Sequence, residues 1–324
     1  MKRTSICVPC FLVLGVVVLL VMAIPQKLSA QALARQALAC FPPDTQQLAY
    51  ANLAQLRSLP NYRQLRRVIF SRQMQNFEAF LRPLGADVDR DVDEVAIGWR
   101  GTGDPVFFGL AEGQFQPDPV QSLIAQEKLP TSQYEGYTLD AFGSGIDRNG
   151  LFFTFFSPNL AAFGRLSDLK ALIDGYLGLR PALNTNTEFV NWEGQIEGSG
   201  PEWGITTGKA AANLALPWLL PGAKRNIDLS SILSPIKAVL YSTDWGTDFS
   251  AQISIICHGA ESASTLAQLL TLWRNSVSTT PSQSSDANQL IQSMEITLDG
   301  NQVELSGFGP TDALAQVLQH MPGR

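Results

Sequence analysis

Histidine is almost absent from this sequence, which holds two histidines among 324 residues. Imidazole is the commonest general base at neutral pH, so this shortage leaves few catalytic mechanisms open. His258 follows the end of a predicted strand, and His320 lies close to the C-terminus. The sequence also lacks a G-x-S-x-G nucleophile elbow. We therefore expect no Ser-His-Asp hydrolase.

Cysteine is also scarce, and two of the four cysteines lie within the first ten residues. The two histidines and the remaining cysteines are too scattered for the ligand spacing of a zinc site. The turn Gly204–Lys209 is one residue short of a phosphate-binding loop, and Ala210 stands where that loop needs Ser or Thr. We expect no metal or nucleotide cofactor.

The two cysteines in the body of the chain, Cys40 and Cys257, leave two interpretations open. In an oxidising compartment they could form a disulfide that ties the start of the fold to its second half. They could equally be separate thiols, one near a flexible end and one in a buried strand. The sequence cannot supply the short Cα separation that a disulfide requires.

Clusters of positive charge are missing too. The formal net charge is −6, and the densest basic group is Arg63, Arg66 and Arg67, a pattern typical of the solvated face of a helix. Nucleic acids and anionic lipid headgroups both require clustered Lys and Arg. The sequence therefore argues against both as partners of the body of the chain.

The N-terminus is laid out as an export signal. Lys2 and Arg3 precede a stretch without charge, Ile6–Ile24, which Pro25 ends. A cationic start, an apolar run and small residues before a cleavage point define a secretory signal. We expect everything after about residue 35 to work outside the cytoplasm, as a periplasmic or extracellular protein or as one anchored to the membrane and facing outward.

Two cleavage sites and one alternative remain open for this segment, which we assign to residues 1–34. Cleavage after Ala30 or after Ala34 fits the small residues there, and Ala34 satisfies the small-x-small rule better. Alternatively, the segment stays as an uncleaved anchor, because it is just long enough to span a bilayer. Its removal takes away three basic residues and no acid, so the net charge changes from −6 to −9.

The body of the chain divides into two similar halves, residues 40–180 and 187–324, joined by the linker Arg180–Asn186. Both halves follow the plan strand, helix, two strands, helix, two strands, helix. Strands are predicted at 47–53, 92–100, 106–112, 134–142 and 151–157, then at 202–207, 236–243, 249–257, 294–298 and 303–308. Helices are predicted at 62–72, 75–84, 118–126 and 166–176, then at 209–220, 261–277 and 312–319.

This alternation predicts an α+β fold: two similar halves of antiparallel sheet with helices packed on one face, after an N-terminal apolar helix. The run Leu151–Phe156 is apolar on both faces, which indicates a central strand buried above and below.

Several turns and strand starts carry a resemblance. They are Phe41-Pro42-Pro43-Asp44-Thr45, the strand start Ala49–Leu53, the acidic turn Asp87–Asp93 and the stretch Asn184–Phe189. With these segments the chain resembles a group of uncharacterised exported bacterial proteins that share a domain of unknown function. The resemblance implies an exported protein with a duplicated α+β body, and it carries no catalytic residues.

Ser167 and Lys170 form the best catalytic candidate, because S-x-x-K places both side chains on one face of a helix. Extracytoplasmic acyltransferases that resemble penicillin-binding proteins use this pair. No K-T-G strand accompanies it, and Ser167 also fits the role of a helix N-cap with Asp168 in the first turn. The structural interpretation is the stronger one.

Four carboxylates in one turn, Asp87, Asp89, Asp91 and Asp93, suggest a calcium site. An EF-hand loop that began at Asp87 would need Gly where Val92 stands and Glu where Gly98 stands. The alternative is a solvated acidic turn.

One apolar run suggests contact rather than catalysis. Leu216, Trp218, Leu219 and Leu220 stand between two prolines, and an exposed run of this kind would bind a partner or touch a membrane. If it is buried, it is the end of a helix that packs on its sheet.

Our first functional hypothesis is a non-catalytic envelope protein that binds a partner protein or small ligand between its halves. The alternatives are an extracytoplasmic hydrolase or acyltransferase and a structural subunit of an envelope assembly. Contact with a membrane would come from the N-terminal segment if it is not cleaved.

Overall fold

The computed structural model describes residues 32–59, 62–63, 66, 87–101, 106–141, 150–211, 234–245, 248–277 and 291–310. The helices are α1 (Ala32–Cys40), α2 (Leu53–Arg57), α3 (Val88–Asp91), α4 (Pro117–Glu127), α5 (Leu166–Tyr176), α6 (Thr187–Ile196) and α7 (Ala260–Val277). The first strands are β1 (Gln47–Asn52), β2 (Val92–Arg100), β3 (Val106–Gly113), β4 (Thr131–Tyr134), β5 (Tyr137–Ala141), β6 (Leu151–Ser157) and β7 (Leu160–Arg165). The others are β8 (Glu202–Thr207), β9 (Ile236–Trp245), β10 (Asp248–Cys257), β11 (Glu295–Asp299) and β12 (Gln302–Pro310).

All twelve strands form one sheet, in the order β11-β12-β10-β9-β8-β1-β2-β3-β7-β6-β5-β4. Every neighbouring pair is antiparallel. The α+β class is confirmed, and the two predicted halves share a single sheet that is continuous through the pairing of β1 with β8.

The sheet is built in the same order outward from this central pair. On one side follow β2, β3 and the hairpin β7–β6, and on the other β9, β10 and the hairpin β12–β11. The side of β2 then continues with the hairpin β5–β4, which has no counterpart beyond β11 among the described strands. The sequence predicted one strand at 134–142 where this hairpin lies. Glu135 and Gly136 both adopt positive φ and turn the chain there, as a two-residue hairpin loop requires.

Helices cover both faces of the sheet, so the prediction of helices on one face is wrong. Successive strand residues point to opposite faces, and the buried residues of β2 alternate between two core clusters, with Ala96 in one and Val95 and Ile97 in the other. The first cluster also contains the apolar faces of α1, α5 and α6. The second contains the apolar faces of α2, α3 and α4. Helix α7 packs on a third cluster, which contains Val239, whereas the neighbouring Leu240 belongs to the first cluster. Since neighbouring strand residues point to opposite faces, α7 lies on the same face as α2, α3 and α4. We call the side of α1, α5 and α6 the first face.

Helix α1 lies partly in the segment that the sequence assigned to export. It begins at Ala32, and Leu33 and Ala34 are fully buried among the core residues of the first face. These two residues therefore belong to the folded body. Among the described residues, no helix is long and apolar enough to cross a membrane.

Candidate functional site

Four polar side chains share the first face of the sheet where β1, β2 and β3 lie side by side. Asn52, the last residue of β1, stands opposite Glu94 on β2, and Glu94 stands opposite Glu112 on β3. Tyr50 is two residues before Asn52 and therefore points to the same face. The antiparallel register alone brings these side chains together.

Tyr50 and Glu94 are buried but incompletely satisfied. Only 3% of Tyr50 and 6% of Glu94 is exposed. The Glu94 Oε2 makes no hydrogen bond of good geometry in the described part of the chain, and the Tyr50 hydroxyl beside it forms only a poorly directed one with Glu94. The Glu94 Oε1 accepts one long hydrogen bond, 3.4 Å, from the Asn52 Nδ2. Buried polar atoms are nearly always well paired, so a buried carboxylate with only long or poorly directed hydrogen bonds requires an explanation.

The electrostatics favour neutralisation of this site. Burial raises the pKa of Glu94 to about 7; the Tyr50 hydroxyl opposes the shift, and the charges of Glu112 and Asp93 add to it. The pKa of Glu112 is also raised, mainly by burial and then by Asp93. Burial, followed by the charge of Glu94, raises the pKa of Tyr50.

No cation compensates the two glutamates within the described ranges, because every ion pair there involves other carboxylates. Asp93 points to the opposite face, where its Oδ1 lies 2.7 Å from the Arg57 Nη2. The cluster therefore consists mainly of oxygen acceptors. It can take up a proton or hold a positively charged group.

An aromatic pair borders the cluster at the junction of the two halves. Tyr50 and Trp203, opposite each other on β1 and β8, stack with ring centres 5.3 Å apart and planes inclined by 23°. Trp203 is almost fully buried. The stack places the Tyr50 hydroxyl beside Glu94 and forms an apolar wall next to the carboxylates.

The catalytic candidates Ser167 and Lys170 have different surroundings in the structure. Ser167 is exposed, whereas the Lys170 Nζ lies 5.0 Å from the centre of the Tyr134 ring. The N-cap of α5 is Arg165 rather than Ser167. An acyl-transfer mechanism needs the amine desolvated beside the hydroxyl, and the two side chains are not arranged in that way.

The four aspartates of the predicted calcium site do not converge on one point. Asp87 is the N-cap of the helical turn α3, and each of the other three carboxylates has a basic partner. The partners are the Asp89 N–H for Asp87, Tyr62 and Arg66 for Asp89, Arg90 for Asp91 and Arg57 for Asp93. Within the described residues this turn is a network of ion pairs rather than a metal site.

Cys40 and Cys257 are both buried free thiols. Cys40 ends α1 in the core of the first face, and Cys257 ends β10 in the cluster that α7 covers on the other face. The disulfide that the sequence left open is not formed. The alternative placed Cys40 near a flexible end, but Cys40 lies in the packed core.

Of the remaining predicted positions, His258 lies within the described residues. His258 is exposed after β10. The apolar run with Leu216, Trp218, Leu219 and Leu220 lies outside the described residues, and so does His320.

Comparison with known proteins gives the fold alone. No family model and no curated protein matches the chain. Among solved structures, crystal form III of TP0453 is similar, with a TM-score of 0.52 and 13% identity over 87% of this chain and 98% of that one. Crystal form I of TP0453 gives a TM-score of 0.50 and 13% identity over 88% of this chain and 97% of that one. The resemblance to exported proteins with a duplicated body stays a prediction.

Proposed function

We propose that this chain is an exported, non-catalytic binding protein whose ligand carries a positive charge. The ligand site is the cluster of Tyr50, Glu94 and Glu112, beside the junction of two halves that arose by duplication. The observation that carries the proposal is the buried Glu94 carboxylate, which faces Glu112 across β2 and β3 and makes no hydrogen bond of good geometry at its Oε2. A cation would complete the contacts of Glu94 and neutralise two carboxylates that no described cationic side chain pairs with.

The second half of the sheet provides an internal comparison. β1 and β8 are both six residues long, and the last residue of each begins a row across three strands. In the first half this row is Asn52, Glu94 and Glu112. In the second half it is Thr207, Ala238 and Ile256, and the last two are buried in the core. Ordinary apolar residues therefore suffice for packing at this place, which favours a functional reason for the carboxylates.

The equal lengths of β1 and β8 and the matching strand order on both sides also support duplication. Export is supported by the order of Lys2, Arg3 and the apolar run Ile6–Ile24. A binding role rather than catalysis is supported by the exposed positions of Ser167 and His258 and by the contact of Lys170 with the Tyr134 ring.

Binding of cations to the mature protein tests the ligand. We expect thermal unfolding at about pH 8 to shift upward with calcium, magnesium or a primary amine such as putrescine at about 1 mM, because a ligand of the native state stabilises it. Comparison of the metal ions with the amine identifies the kind of cation. The shift should decrease strongly at about pH 5, where protons compete for the carboxylates.

Matched variants locate the binding. Glu94→Gln and Glu112→Gln should each abolish the shift, whereas Glu127→Gln, at the exposed end of α4, should leave it unchanged. If no cation stabilises the wild-type protein, or if Glu94→Gln responds like wild type, the proposed site is wrong.

A further inference from the structure

A second surface lies at the end of the sheet that β4 forms, several strands away from the glutamate cluster. Among the strands that the structure describes, β4 is the last one there and pairs with β5 alone. Its hydrogen bonds to β5 come from alternate residues, because the two-residue turn makes Tyr134 and Tyr137 a hydrogen-bonded pair. The Pro130 carbonyl accepts from the Ala141 N–H at 2.9 Å, in the same alternation.

The remaining residues of β4 turn their backbone groups outward. By this alternation, the N–H and C=O of Thr131 and Gln133 point away from the sheet. Natural sheet edges are usually protected by charged side chains, proline or bulges. Between Thr131 and Tyr134 the strand contains neither a charge nor a proline. The edge therefore offers two residues for pairing with a short extended segment.

An apolar surface lies next to this edge. Tyr134 reaches from β4 to α5, where its hydroxyl donates to the Asp174 Oδ1 at 2.8 Å. The chain beyond α5 turns back toward Asp174, because the Leu179 N–H donates to the Asp174 carbonyl at 2.8 Å. Here Leu177 is 42% exposed and Leu179 is 58% exposed. Exposed large apolar side chains that lie together mark an interaction site.

Lys170 gives this surface a preference for a negatively charged partner. The Lys170 Nζ lies against the Tyr134 ring and has no ion pair in the described part of the chain. Arg180 is already paired with Asp174, their Nε and Oδ2 being 2.9 Å apart. A carboxylate on the partner would therefore pair with Lys170.

We propose that the free edge of β4 and the apolar end of α5 bind an extended segment of a partner protein that carries a carboxylate. The segment adds a strand to the sheet, which supplies main-chain hydrogen bonds. Its apolar side chains lie on Leu177 and Leu179, and its carboxylate meets Lys170. This edge lies at the end of the strand order, and the glutamate cluster lies on β1, β2 and β3 in the middle of the sheet, so the two proposals are tested separately.

A defined peptide library tests this proposal with the full mature chain. The probes are fluorescent eight-residue peptides with alternating apolar positions, half of them with Glu and half with Lys at a central position. We expect Glu peptides to bind at least about tenfold more tightly than their Lys counterparts. Lys170→Glu should reverse this preference. Gln133→Pro should lower the affinity by at least about tenfold, because it removes an outward N–H without breaking a bond to β5.

Gln133→Val is the matched control, since it keeps the N–H and changes the same side chain. It should bind like wild type, and an unchanged circular dichroism spectrum of Gln133→Pro excludes misfolding. Three results would overturn the proposal: no Glu peptide binds, Gln133→Pro binds like wild type, or Lys170→Glu keeps the Glu preference. It would also be overturned if wild type formed a dimer that Gln133→Pro abolished, since a second copy would then occupy the edge.

Discussion

Replacement of Glu94 by Gln should make the protein more stable at alkaline pH. The pKa of Glu94 is raised to about 7 in the folded chain from its ordinary 4.5, so the native state holds a proton that the unfolded state has lost. An acid whose pKa is raised by folding stabilises the native state at pH values below its unfolded-state pKa. This stability is lost as the pH rises through its folded-state pKa. Between about pH 5 and pH 8, Glu94 should cost the native state about 2.5 kcal/mol, since one pKa unit is worth about 1.36 kcal/mol.

Glu193 on α6 should add to this dependence with the same sign. It is buried, and burial followed by the charge of Glu197 raises its pKa to about 7, against the opposing effect of Arg35. The wild-type free energy of unfolding should therefore fall steadily from about pH 5 to pH 8. Glu94→Gln should remove roughly half of this slope, and the double variant with Glu193→Gln most of it.

Urea unfolding at several pH values, in a buffer with a chelator, measures these slopes. The chelator prevents a bound metal ion from holding Glu94 ionised and hiding the effect. Glu127→Gln, on the exposed surface of α4, is the control and should follow wild type. The reasoning is refuted if the free energy of unfolding of wild type does not decrease between pH 5 and pH 8, or if Glu94→Gln decreases just as steeply.

Four further predictions concern the fold. If the leader is cleaved, intact-mass spectrometry should show a chain that begins at Gln31 rather than at Arg35, because cleavage after Ala34 would remove the fully buried Leu33. For the same reason, Leu33→Ala should lower the free energy of unfolding by about 2–5 kcal/mol. Arg100→Met should cost about 3 kcal/mol in urea unfolding, the low end for a broken buried pair, because it leaves the buried Asp168 without its cation. Gly98→Val should cost about 1–3 kcal/mol, since a Cβ there would lie 2.6 Å from an aromatic ring atom on the neighbouring strand; a native-like melting temperature would contradict this.

Much of the secondary structure could be predicted because local signals determine it. The strands Val92–Arg100, Leu151–Ser157 and Glu202–Thr207 and the helix Leu166–Tyr176 are confirmed at both ends. Their limits are set by alternation, by apolar periodicity and by the turns that follow, all of which can be recognised within a few residues.

The features that the sequence does not predict are set by long-range packing. The run Leu151–Phe156 was expected to be central because it is apolar on both faces, yet its strand is third from one end of the sheet and most of its residues are only half-buried. Helix α1 was missed because its apolar residues continue those of the export segment. The helices on both faces could not be predicted either, since the sequence of a half-buried strand does not say what covers its second face.

The glutamate cluster left a weak signal in the sequence. In the predicted strand Val92–Arg100, Glu94 shares a face with Ala96 and Gly98, so a carboxylate stands at a position that alternation assigns to the interior. Nothing in the sequence indicated that Glu112 would lie opposite it, because the pairing register of β2 with β3 depends on the turn between them. A search for acidic residues at interior strand positions would have found Glu94 but not its partner.

Both proposed sites occupy the first half of the sheet, where it differs from the second. The row with Glu94 and Glu112 stands at the position of Ala238 and Ile256 in the second half, and the hairpin β5–β4 has no counterpart among the described strands of the second half. If the second half represents what the fold needs, these additions cost stability without improving packing, since a buried unpaired carboxylate is unfavourable. Replacing Glu94 by Ala and Glu112 by Ile should then stabilise the protein at pH 8 while abolishing its response to cations. A destabilised variant would mean that the carboxylates are structural, and the functional interpretation of the cluster would have to be given up.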